Sequence, residues 1–84
     1  MFMDEALARG ILDVLAAVGD PGLRTSALGT QAGLLTDRDR ITDQELRQAL
    51  TWLRNKRWVA ERDDEWGTPR WYITDAGANR QAMG

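Results

Sequence analysis

Two clusters of side chains in this sequence could do chemistry, and they differ in kind. The first is a set at helical spacing: Gln44, Gln48, Thr51 and Asn55, with Arg47 on one shoulder and Trp52 on the other. Amide side chains can pair bidentately with adenine and an arginine with guanine, and a threonine offers either a hydroxyl or a methyl. A face that is only solvated tends toward glutamate and lysine. These neutral polar residues and an arginine are therefore candidate base readers (Gln44, Arg47, Gln48 and Thr51), although plain solvation accounts for the neutral ones equally well. Five cations surround them in sequence, Arg54, Lys56, Arg57, Arg62 and Arg70, and are candidates for phosphate contact.

The second cluster is Asp63-Asp64-Glu65. Three adjacent carboxylates invite a reading as a metal or acid–base site. On a loop such groups mostly repel one another and stay solvated, and magnesium sites normally recruit substrate phosphates as well. The sequence has no cysteine and no histidine. That removes a disulfide framework, an ordinary zinc site, a thiol nucleophile and the commonest general base. No phosphate-cradling glycine motif is present. The expectation is a non-enzymatic protein with no metal, no cofactor and no small-molecule substrate.

The elements that position these residues are legible from local pattern. Thr42 and Glu45 form a T-x-x-E capping box, with Ile41 as the preceding hydrophobe, and open a helix. Leu46, Ala49, Leu50 and Leu53 fall in one narrow arc at helical period and face the core, which turns the candidate readers outward. Arg54 lies nearer the core edge, where its stem can cover apolar surface. Trp58-Val59-Ala60-Glu61-Arg62 alternates like a strand, and Trp71-Tyr72-Ile73-Thr74 is its return. Val59, Trp71 and Ile73 are placed inward and Tyr72 opposite, with Asp63–Arg70 as the connecting loop.

Upstream, Asp4 can cap a first helix. Its stripe is Leu7, Ile11, Leu12, Leu15 and Val18, and Gly19-Asp20-Pro21-Gly22 ends it. Leu23-Arg24 reads as a short extended piece. Thr25 or Ser26 caps a second helix to about Ala32, with Leu28 and Ala32 inward and Gly33 as a left-handed stop. Leu34 and Leu35 are expected to plug the gap between helices. Thr36–Arg40 is a polar connection, a solvated loop or a site where Arg38 or Arg40 meets a phosphate. Thr74 caps a last short helix through about Gln81, weakened by Gly77. The chain reads as one domain over 1–84, of α+β class: three helices and a C-terminal hairpin.

This order resembles the small bacterial and archaeal winged helix-turn-helix regulators, including the PadR-like and MarR-like groups. Leu46, Leu50 and Leu53, the basic turn Asn55-Lys56-Arg57 and the pair Trp58-Val59 match the third helix and wing entry of that family. Trp71, Ile73, Thr74 and Gly77 match its wing return. The resemblance covers nearly the whole chain and implies a winged-helix fold, double-stranded-DNA binding by the third helix and a role in transcription regulation. The wing departs from the pattern, because family wings often carry cations where this one has three acids. A second resemblance, Gly67-Thr68-Pro69 followed by Trp71 and Ile73, is to the wing of Z-form nucleic-acid-binding domains. Those domains use an asparagine and a tyrosine on the third helix. Here Arg47 and Thr51 stand at those positions, so the defining aromatic is missing.

Charge qualifies the DNA reading. The net charge is −2, and tight DNA-binding domains are usually basic. Residues 1–20 carry four acids and one arginine, −3, whereas 41–62 carry five cations and three acids, +2. The basic excess lies on the helix that would enter the groove. The competing expectation is a protein-interaction module that keeps the scaffold without binding DNA. It rests on the acidic balance and on Trp52 and Trp66, both expected to be at least partly exposed and therefore candidate interface anchors. A bare domain of this size needs a second copy or another protein for useful affinity. The acidic start, the lack of a spanning apolar run and the absence of cysteine lead to the expectation of a cytoplasmic protein with no membrane segment.

Overall fold

A computed structural model describes residues 5–19, 22–35 and 41–83. The expected caps and loops at Asp4, Asp20-Pro21 and Thr36–Arg40 lie outside them. The described chain runs α1 (Glu5–Val18), α2 (Thr25–Leu35), α3 (Asp43–Asn55), β1 (Val59–Asp63), β2 (Pro69–Ile73) and α4 (Asp75–Ala82). Three helices, a hairpin and a short fourth helix make up a winged helix.

The α1 stripe packs as its spacing dictates. Leu7, Ile11 and Leu15 are fully buried and Leu12 nearly so, whereas Val18 at the end is exposed. The Gly19 N–H closes the helix on the Leu15 carbonyl at 3.0 Å, a left-handed stop. Helix α2 corrects the sequence reading. It continues through Gly33, which is buried inside it, and ends at Leu35. Leu34 and Leu35 therefore plug nothing: they are 72% and 59% exposed. At 3.6 residues per turn Leu34 points roughly 140° away from the Leu28–Ala32 face. Leu35 shares that face but lies one turn past Ala32, beyond the packed core.

The capping box of α3 forms as expected. The Thr42 hydroxyl oxygen accepts the Glu45 N–H at 3.1 Å, and the Thr42 N–H donates to Glu45 Oε1 at 3.4 Å. Leu46, Ala49, Leu50 and Leu53 are all buried. At the other end the Trp58 N–H reaches the Leu53 carbonyl (3.1 Å) and the Arg57 N–H the Arg54 carbonyl (2.9 Å). This pair of bonds is the Schellman closure, with Arg57 at φ 64 in the position usually given to glycine.

The hairpin pairs Val59 with Ile73, Glu61 with Trp71 and Asp63 with Pro69. Val59 and Trp71 are buried and Ile73 packs partly against the core, as their alternation predicts. On the far side of β2, Leu23 exchanges both backbone bonds with Trp71, at 2.9 and 2.7 Å, so the expected extended piece forms a single-residue third rung. Gly22 permits this approach, since a Cβ there would overlap the Trp71 carbonyl. The Trp71 indole N–H donates to the Thr25 hydroxyl at 3.0 Å, tying β2 to the start of α2.

Thr74 caps α4 by accepting the Gly77 N–H at 3.0 Å, and its own hydroxyl donates to the Arg57 carbonyl at 2.7 Å. A Cβ at Gly77 would overlap the Trp58 carbonyl oxygen. The glycine that looks like a weakness by helix propensity is the contact that lets α4 sit on the α3–β1 joint. No helix among the described residues is long and apolar enough to cross a membrane.

Candidate nucleic-acid interface

Burying Leu46, Ala49, Leu50 and Leu53 forces the opposite side of α3 outward. Gln44, Arg47, Thr51, Arg54 and Asn55 are exposed there and Gln48 is half-buried. Arg47, Thr51 and Arg54 follow one another at spacings of four and three, which lines them along one strip. Arg57 extends the cationic edge past the helix end. Among the described residues no ion pair holds Arg47, Arg54 or Arg57. The structure thus brings four candidate readers and the cations of the α3 end onto one contiguous surface.

The remaining cations are engaged to different degrees. Lys56 Nζ lies 5.3 Å from the Trp52 ring centre, and the Arg62 guanidinium 4.6 Å from that of Tyr72. Exposed cation–π contacts are worth about 0.5–1 kcal/mol, so Lys56 can turn to a phosphate at small cost. Arg70 is held more firmly. Its Nε donates to Asp64 Oδ2 at 2.9 Å and a terminal nitrogen reaches the Gly22 carbonyl at 3.5 Å. It bridges the wing turn and the segment before α2.

Asp64 is the partner that sequence reasoning misjudged. It is not one of three equivalent tip charges. Its carboxylate accepts the Trp66 N–H at 2.8 Å, the Thr68 N–H at 3.0 Å and Arg70. The Thr68 backbone bond and then Arg70 hold its carboxyl below the usual carboxylate range. The Gly67 N–H closes the turn on the Asp64 carbonyl at 3.0 Å, with Gly67 at φ 74. The signal was present as Asp at the first and Gly at the fourth position of the four-residue turn Asp64–Gly67. Asp63 and Glu65 stay exposed, and the described residues contain no cluster that could hold a metal ion. Trp66, at the tip, is 82% exposed.

Trp52 is half-buried, within the partial exposure expected of it. It packs edge-on against Trp58, with ring centres 5.5 Å apart at 78°, and Arg80 of α4 lies 5.5 Å from the Trp58 ring. These side chains wall a groove of about 190 Å3 between α1, α3 and α4, floored by Ala8, Leu12 and Leu53. Its walls come from three helices far apart in the chain, and no local pattern marks it.

The chain matches no protein-family model and no curated protein in sequence. In three dimensions it is similar to a solved structure described as a transcriptional regulator of the MarR family from Silicibacter pomeroyi, with a TM-score of 0.70 and 24% identity. The match covers 94% of this chain and 50% of that one. The likeness establishes the winged-helix fold over nearly the whole chain, which spans half the length of that regulator.

Proposed function

We propose that this chain binds double-stranded DNA as part of a transcription regulator, with α3 in the major groove. The observation that carries the reading is the outer face of α3, where amide, hydroxyl and arginine side chains stand together. Gln44, Arg47, Gln48 and Thr51 read base edges. Arg54, Lys56, Arg57 and Arg62 contact phosphates on either side. The regulator-like neighbour of the same fold supports the direction of the reading.

The wing takes a limited part. Each exposed acid about 4 Å from a phosphate is repelled by about 1 kcal/mol even at the dielectric of water. Asp63 and Glu65 therefore keep the tip out of the groove. Asp64 adds little to that repulsion, because Arg70 neutralises it within the wing. Arg62, nearer the base of the hairpin, is the wing's phosphate contact. Arg70 serves the wing's internal order.

The test is selection from random duplexes by the wild-type chain and by Arg47→Ala and Gln48→Ala. Each substitution removes a base contact worth about 1–3 kcal/mol of discrimination, so preference at one or two positions should relax while the affinity for non-cognate duplex stays within a few-fold. Unchanged preference in both variants would remove α3 from base reading.

A further inference from the structure

Two features of the molecule lie outside the DNA reading, and their chemistry is complementary. One is the wing tip. Trp66 is 82% exposed on a turn whose backbone Asp64 fixes through the Trp66 and Thr68 amides. The indole is a large apolar anchor whose supporting backbone is already ordered, which lowers the entropy lost when it docks. Exposed Asp63 and Glu65 flank it.

The other is the groove between α1, α3 and α4. Trp52 and Trp58 wall it above Leu12 and Leu53, and its roughly 190 Å3 suits one aromatic side chain. Arg80 and Arg9 line it. Two acids also lie on its α1 edge: Glu5 is 3.8 Å from Arg9 in an exposed pair, and Asp13 accepts the neutral Gln81 amide at 3.1 Å and keeps its charge. An indole entering the groove meets aromatic edges below, and the two carboxylates beside it meet cations at the rim.

We propose that Trp66 of one copy seats in the α1–α3–α4 groove of a second copy, giving a head-to-tail association of the chain. Tip and groove are different surfaces, so the contact is heterologous: it closes into a ring or continues as an open chain. The groove lies on the Trp52 shoulder of α3, roughly 160° around the helix from Arg54. The strip of Arg47, Thr51 and Arg54 therefore stays open in the assembly. Several such strips held in series supply the multivalency that a single small domain lacks. The association itself does not depend on DNA.

Sedimentation of the full chain without DNA tests it. A single side chain in a groove falls at the small end of interfaces, so association is expected between about 10 μM and about 1 mM. Trp66→Ala should weaken it at least tenfold, and so should Arg80→Glu, with far-UV circular dichroism unchanged. Mixing the two variants should restore a 1:1 dimer and nothing larger, because one retains a groove and the other a tip. A wild-type chain monomeric throughout that range overturns the proposal and leaves the groove to another partner. Self-association of Trp66→Ala equal to wild type also overturns it, even if Arg80→Glu fails to fold.

Discussion

Arg57 occupies the left-handed position of the α3 terminus at φ 64. An L-residue there carries about 1–2 kcal/mol of strain, and glycine would relieve most of it. Strained residues persist where function holds them, and Arg57 stands at the cationic end of the proposed interface. Arg57→Gly should therefore raise stability by up to about 1 kcal/mol, which is ~4–8 °C in thermal melting for a domain this small. It should also lower the salt slope of DNA binding by about one. A melting temperature that falls would show that the arginine side chain supports the fold. Asp64 gives the second test at this scale. The Thr68 amide and then Arg70 hold its folded pKa below the ordinary carboxylate value, so its contribution is present above the unfolded pKa and lost as pH falls through the lower folded one. Amide protection at Trp66 and Thr68 should fall on acidification below about pH 4. It should fall at neutral pH in Asp64→Ala, while α3 amides stay protected in both cases.

Among the elements, those set by local chemistry were legible and those set by distant contacts were not. The α3 capping box, the Leu46–Leu53 arc and the inward side of the hairpin follow from spacing alone, and the structure repeats them. The end of α2 was misjudged because Gly33 looks like a stop, yet it is buried within a helix that runs on to Leu35. The Asp64–Arg70 pair joins the wing turn to β2 six positions on, beyond any helix or strand period, so the acids read as equivalent. The α1–α3–α4 groove joins three segments from the start, middle and end of the chain. Gly77 shows how tertiary contact reverses a local rule. By propensity Gly77→Ala should stabilise α4 by about 1 kcal/mol. Because its Cβ would overlap the Trp58 carbonyl, the substitution should instead destabilise by about 1–3 kcal/mol. Denaturant unfolding of the single variant decides between the two signs.

For the whole molecule, the core is thin and its largest members carry much of the stability. Leu50 and Leu53 are buried between α3 and the rest of the core. Truncating either to alanine should cost about 2–5 kcal/mol, against a total near the lower end of the usual 5–15 kcal/mol. Either variant should show a melting temperature more than about 10 °C below wild type. Charge also acts at this scale. The chain carries −2 overall, but Arg47, Arg54, Lys56, Arg57 and Arg62 cluster around α3, so under the proposed function the local field, not the net charge, governs approach to DNA. The most direct test of that claim is equilibrium binding of the chain to duplex DNA at two salt concentrations. Four phosphate contacts give a slope of roughly −3.6, a loss on the order of 10²-fold between about 50 and about 200 mM salt. Binding with that slope is the predicted result. No binding at the lower salt, or binding indifferent to salt, would contradict the proposed role of α3.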